Sequence, residues 1–226
     1  MAAFFGLFGK PKVMFHEELP SRQRIVRILQ EHIVPDMEAR GFTFNEKKVL
    51  FKRDRGDQLD VIHNHTHPRN SSPNWVRFQP FWMVESRSYA CWMQEHMGKD
   101  KDWGGTLIHG RLEDLSLHDE RMMDVEWFDL ARTDNKKLIE HYHQVLMQEL
   151  VPLMDSLEDL RNVLAYERTR GHHDTPRYIT VACMLGDMAE AQAALARYEQ
   201  VVQRKGNDPG MMRTLEEHRR LVEKFS

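Results

Sequence analysis

The hydrophobic period of this chain changes twice, and each change restricts the fold more than any single motif does. From Ser21 to Gly41 apolar residues recur every three or four positions, at Ile25, Ile28, Leu29, Ile33 and Met37, which is the stripe of an amphipathic helix. Ser21 is placed to cap this helix and Gly41 to close it. Pro35 removes one backbone hydrogen bond inside it and predicts two unequal pieces. From Val49 the period becomes two. Val49, Phe51 and Arg53 alternate with Leu50 and Lys52, Arg55-Gly56-Asp57 supplies turn chemistry, and Leu59 to His65 alternates again, so the segment reads as a hairpin. Trp75 to Val84 reads as a third strand with Val76, Phe78, Trp82 and Val84 on one face and Arg77 and Gln79 on the other. Pro80 marks it as an edge or a bulge.

Ser86 to Met97 returns to helical spacing through Tyr89, Trp92, Met93 and His96. A charged, glycine-containing loop around Trp103 follows, from Gly98 to Gly105. Thr106 to Arg111 reads as a fourth strand and Glu126 to Leu130 as a short fifth piece anchored by Trp127 and Phe128. From Asp134 onward the pattern is helical. One helix runs through Leu138, Ile139, Tyr142, Val145, Leu146 and Leu150 and ends at Pro152; Ser156 caps the next, through Leu157, Leu160 and Leu164. Thr175-Pro176 and Asp208-Pro209 each set a capping oxygen before a proline at the first helical position. Gly186 and Gly206 stand where left-handed caps close helices, and Asp187 opens the helix through Ala191, Leu195, Tyr198 and Val202. Leu185-Gly186-Asp187 with Ala191 and Leu195 is similar to part of one tetratricopeptide unit, whereas stacked architectures need three or more.

These elements predict an α+β fold: an antiparallel sheet of four to five strands backed by helices, followed by a C-terminal helical hairpin-like subdomain. The expected organisation is an N-terminal leader over 1–19, an α+β domain over 20–155 and the helical subdomain over 156–226. At 226 residues the chain is long enough to bury roughly 70% of its unfolded surface without staples. No apolar run approaches the ~20 residues of a membrane span. Met1 to Lys10 is apolar but short, and it lacks the positive start and the cleavage pattern of a secretory signal. Cys91 and Cys183 form no Cys-x-x-Cys pair, which fits a reducing compartment, so the expected location is cytoplasmic.

A net charge of −3 leaves no global electrostatic footprint for nucleic acid. Lys47, Lys48, Lys52, Arg53 and Arg55 form a local basic cluster that is expected to be a solvated strand edge and offers phosphate contacts only as a third possibility. Walker and dinucleotide glycine loops, the Gly-x-Ser-x-Gly elbow, His-Glu-x-x-His and zinc-finger spacings are all missing. No catalytic residue and no cofactor is therefore expected.

The main concentration of chemistry is His63, His65 and His67. On a strand rising ~3.3 Å per residue, His63 and His65 share a face about 6.6 Å apart while His63 and His67 are about 13 Å apart, so at most two of them could share a metal. A third zinc ligand would have to come from elsewhere, such as His109, His141, His143, Glu85 or Asp57. Leu59 and Val61 have the same parity as the histidines, whereas Asp60, Ile62, Asn64 and Thr66 have the other. The rings are thus expected to continue an apolar core face to its wet margin, where they could also titrate near neutrality. His172-His173-Asp174 reads as an interhelical loop and Asp187 as a helix cap. His141 and His143, two apart, point away from each other on one helix.

Five short blocks, in order, resemble an uncharacterised bacterial family, domain-of-unknown-function family 4304, over about residues 21–166. They are Ile33-Val34-Pro35 leading to Gly41-Phe42, Phe51-Lys52-Arg53, Arg111-Leu112 with Leu115, Trp127-Phe128-Asp129-Leu130, and Val151-Pro152-Leu153 leading to Leu157-Glu158-Asp159-Leu160. The resemblance implies an α+β domain and carries no catalytic residues. The histidine run is not part of that pattern, and the helices after Arg170 lie outside it.

Two function classes follow. The first is a non-catalytic protein-binding module of the bacterial cytosol, in its sharpest form an immunity protein neutralising a cognate toxin. Its partner-binding residues are expected among His63, His65, His67, Trp103, Glu113, Asp114, Asp119 and Glu120, because an acidic stretch, aromatics and a histidine-bearing strand occur without a catalytic constellation. The alternative is a metal-dependent hydrolase using His63 and His65.

Overall fold

The computed structural model describes residues 12–71, 74–99, 105–122 and 126–226, with the side chain of Glu120 left out. The fold is α+β. Strands β1 (Thr43–Asn45), β2 (Leu50–Asp54), β3 (Gln58–Thr66), β4 (Arg77–Ser86) and β5 (Thr106–Arg111) lie side by side in that order, and β6 (Phe128–Asp129) pairs antiparallel with β4. The helices are α1 (Ser21–His32), α2 (Val34–Ala39), α3 (Arg87–Met97), α4 (Asn135–Val145), α5 (Val151–Ser156), α6 (Leu160–Thr169), α7 (Pro176–Met184), α8 (Met188–Arg204) and α9 (Pro209–Phe225). No helix among the described residues is long and apolar enough to cross a membrane. The contacts divide the chain into two compact units that are not contiguous in sequence: the described residues of 12–54, 60–82 and 110–152, and those of 55–59, 83–109 and 153–226.

In the first unit Pro35 does split the first helical stripe. α2 begins with this proline in its first turn, where the missing N–H costs nothing. Ser21 does not cap α1. The helix starts on Pro20, whose carbonyl takes Arg24 N–H at 2.9 Å, and the Ser21 hydroxyl reaches Trp75 O instead. β1, absent from the sequence expectation, pairs with β2 in the register Thr43↔Lys52, Phe44↔Phe51 and Asn45↔Leu50. Three residues are too few for an alternating signal to stand out. The turn between them holds Val49 at φ +52°, an outlier for a β-branched residue. Burial of its side chain and the bond from Asn64 N–H to its carbonyl at 2.9 Å hold it there.

Pro80 does not make β4 an edge, since β4 lies between β3 and β5. Burial alternates without interruption from Phe78 to Ser86, so there is no bulge either. Ser86 N–H donates to Gly105 O on the β5 side, and counting back in twos puts the missing Pro80 N–H on that same side. There it falls between the residues paired with β6, Arg77 and Phe78, and the end of β4 held at Ser86.

Pro152 does not end α4. The helix passes through a π-helical turn at Leu146–Leu150, closed by Val151 N–H on Leu146 O, and continues as α5 to Ser156. The widened turn shifts the ladder by one residue just before the proline that has no N–H to give it. Residues 12–19 also belong to this unit: Val13 O accepts from Asn135 N–H and Phe15 N–H donates to Asn135 Oδ1. The apolar start of the chain, Met1 to Lys10, lies outside the described residues.

In the second unit the predicted helix boundaries of the C-terminal part are those observed. Thr175 and Asp208 cap α7 and α9, each with proline in the first turn. Asp187 caps α8, and Gly186 and Gly206 have φ +72° and +73°. The exception is α6, which Asp159 caps through Arg161 N–H at 2.8 Å; Ser156 is the last residue of α5, and its hydroxyl turns back to Leu153 O. Ser156 is still helical in α5 and α6 does not begin until Leu160, so its oxygen is not at the position that caps α6. α7, α8 and α9 pack on one another around Tyr178, Ile179, Ala182, Ala191, Ala194, Val202, Leu215 and Val222, all buried.

Candidate functional site

The parity of β3 is as expected, but the face that enters the core is the opposite one. Gln58, Asp60, Ile62 and Asn64 are buried, while Leu59, Val61 and His63 are half-buried and His65 is exposed. Each of the three buried polar residues has a partner, although Asn64 Nδ2 is itself buried without one. Asp60 takes Arg53 Nε at 2.8 Å and its terminal nitrogen at 2.6 Å, Asn64 Oδ1 accepts from Tyr142 OH at 2.8 Å, and Gln58 donates to Leu157 O. Arg53 in turn lies 4.5 Å from the centre of the Phe42 ring. The histidines therefore do not continue the core face to its margin. They stand on the outer face of the sheet.

On that face His63 and His65 stack, with ring centroids 4.4 Å apart and planes 17° from parallel, and His65 meets the ring of Phe81 edge-on at 6.2 Å. Strand parity adds Leu50 and Lys52 of β2, Val61 of β3 and Gln79 of β4 to the same face. Burial lowers the proton affinity of His63, and the neighbouring His65 and Lys48 push in the same direction. Phe81 was not anticipated, although the β4 parity that set Phe78 and Trp82 inside already placed it outside.

His67 leaves the group. β3 ends at Thr66, His67 Nδ1 accepts from Arg69 N–H, and its ring packs at 4.8 Å against Trp127 and 5.8 Å from Trp75. Trp75 also carries Arg77 stacked at 4.1 Å, whose guanidinium is paired with buried Asp129 at 2.9 Å.

The metal reading loses its geometry. A metal lies in the plane of each imidazole that binds it, about 2 Å from the nitrogen, and two stacked, nearly parallel rings do not share such a point. Among the described residues no group of three or more His, Cys, Asp or Glu is placed to hold a metal ion. Of the suggested third ligands, Asp57 caps α3 through Ser86 and Ser88, His141 accepts from Asp119 N–H and His143 pairs with Asp36 at 2.7 Å.

The acidic stretch is also spoken for. Glu113 and Glu126 both pair with Arg111 at 3.0 Å, and Asp114 accepts Arg111 N–H. Asp119 is bound twice by Arg121, which holds its carboxyl down at about 2. Trp103 and the Glu120 side chain lie outside the described residues. The basic cluster shrinks likewise: Arg53 is buried, Arg55 donates to Gln58 and Met154 O, and β1 covers the edge of β2, leaving Lys47, Lys48 and Lys52 exposed. A phosphate-binding track does not form from three lysines around one turn.

No family model, curated protein or solved structure matches the chain.

Three buried or half-buried histidines, His63, His141 and His218, are held below their ordinary value of 6.5, in each case chiefly by burial. The unfolded chain therefore binds protons that the folded chain refuses. Their contribution to stability is complete above the unfolded value and is lost as pH falls through the folded ones. The urea midpoint is expected to fall between about pH 7 and about pH 5.5, before carboxylates titrate. A midpoint that stays level or rises over that interval would contradict the linkage.

Proposed function

We propose that this chain is a non-catalytic protein-binding module that receives an acidic partner surface on the outer face of its sheet. The observation that carries the reading is the inversion of β3: its polar row is buried and paired, while Val61, His63, His65 and Phe81 of the neighbouring strand are turned outward and left partly exposed. Such a row of apolar and aromatic groups supplies contact area, and rings with few rotatable bonds lose little entropy when covered. Lys48 lies near His63 and Lys52 stands on the same face, so a partner with carboxylates around an apolar residue complements it in charge.

In its specific form the module is an immunity protein of the bacterial cytosol, an α+β relative of domain-of-unknown-function family 4304, and the partner is the catalytic domain of a toxin. The test is co-expression with the toxin encoded beside it. The native chain is expected to restore growth and to co-elute with the toxin domain on gel filtration, and the Phe81→Asp/His65→Asp variant to lose both while keeping its circular dichroism spectrum. No rescue and no complex with the native chain would refute the immunity reading; rescue retained by the folded double variant would refute the proposed face.

A further inference from the structure

The second unit contains a cavity of about 350 Å³ walled by α3, β5, α7 and α9. That is the lower end of the ~300–1,000 Å³ typical of small-molecule sites. Its polar wall is a connected chain. His218, 4% exposed, has Nδ1 2.7 Å from Thr214 O; a carbonyl only accepts, so this nitrogen carries the proton. Nε2 of the neutral ring then accepts, and Thr180 Oγ1 lies 3.2 Å from it; the Tyr89 hydroxyl is bonded to Thr180 in turn. Each of these groups meets a partner from within, the single Thr180 proton serving either Pro176 O at 2.9 Å or His218 Nε2, and the contacts fix the orientation of the polar wall before any ligand arrives.

The cations around the same cavity are not satisfied in this way. Lys99 follows the left-handed cap of α3 at Gly98. It is half-buried, and its ammonium has no hydrogen bond or ion pair among the described residues, although it is close enough to His218 to disfavour its charging. Arg177 binds the buried Glu167 through one terminal nitrogen at 3.0 Å, but its Nε is buried without a partner. The guanidinium N–H asks for an acceptor, because a buried donor without a partner forfeits hydration, and the unpaired Lys99 side chain places a second positive charge on the same lining. Met93 and the Tyr89 ring supply an apolar wall beside them, both at most 5% exposed. The one carboxylate on the lining, Glu217, is exposed and makes no ion pair with Lys99.

We propose that this cavity binds a small organic carboxylate, its charged end held by Lys99 and Arg177 and its compact apolar body against Met93 and Tyr89. His218 and Thr180 are positioning residues, and no bond is made or broken. The sequence carried one signal for the site: His218 sits on the apolar stripe of α9 with Leu215, Leu221 and Val222.

The full chain is titrated with benzoate, and separately with inorganic phosphate, while amide resonances are followed by NMR. Benzoate is expected to shift resonances of α7 and α9 around Thr180 and His218 saturably. Lys99→Met should weaken benzoate roughly tenfold or more, the loss of one charge-assisted hydrogen bond, without lowering the melting temperature. Thr180→Val should weaken it less and serves as the second probe. No saturable shift at millimolar benzoate, equal affinity in Lys99→Met, or binding of phosphate in preference to benzoate would each overturn the proposal.

Discussion

Replacing Asp60 by alanine is expected to lower the unfolding free energy by about 3–5 kcal/mol, the cost of leaving one half of a buried ion pair without the other. Asp60 is fully buried on β3 and Arg53 is 9% exposed on β2, with two guanidinium nitrogens within 2.8 Å of one carboxylate oxygen. The loss comes mainly from the guanidinium left behind and only secondarily from the attraction removed. Arg53→Met combined with Asp60→Leu should therefore recover most of the stability that Asp60→Ala loses, since apolar residues of similar size need no partner. Urea denaturation of the three proteins measures both effects. A loss under about 1 kcal/mol for Asp60→Ala, within the range of an exposed pair, would mean that the buried arrangement is not what holds β2 to β3.

Gly105→Ala is expected to cost about 2–5 kcal/mol, because two penalties fall on one residue. Its φ of +66° is a left-handed conformation that a side chain disfavours by about 1–2 kcal/mol. A Cβ there would stand 2.6 Å from Ser86 O and 2.7 Å from the Cβ of Ala90. Neither neighbour can swing aside: one is backbone, held close by the Ser86 N–H to Gly105 O bond, and the other is a methyl on α3. Overpacking of this kind typically adds about 1–3 kcal/mol. Gly56 separates the two penalties. Its φ is +82° and nothing lies within 4 Å of its Cβ position, so Gly56→Ala should show the conformational cost alone. Equal midpoints for the two variants would show that the close approach at Gly105 relaxes freely.

The elements whose signals are local were legible. The caps Thr175, Asp187 and Asp208, the glycines Gly186 and Gly206, and the alternation of β3 and β4 each act within a few residues, so sequence spacing contains their physics. Ser156 and Pro152 misled for a related reason: a π turn absorbs the proline that would otherwise stop the helix, so the helical path runs on to Ser156 and Asp159 becomes the next cap. β1 is too short to carry a period of its own.

For the candidate sites, sequence alone determined that His63 and His65 share a face and that three strand histidines cannot share one metal, because both follow from strand geometry. It also determined the α+β class and most helix ends. Only the tertiary structure decided which face of β3 is inside. Alternation defines two faces but not which one is covered, and the polar face could be covered because Arg53, Tyr142 and the Leu157 carbonyl, remote in sequence or on a neighbouring strand, were there to meet it. The carboxylates at Glu113 and Asp119 instead pair with arginines two positions away and Asp114 accepts the Arg111 backbone N–H, whereas the cavity at His218 has walls from four separate elements. Hydrogen bonds and ion pairs between distant residues are not written in any local period, and they settled which polar groups the fold itself uses.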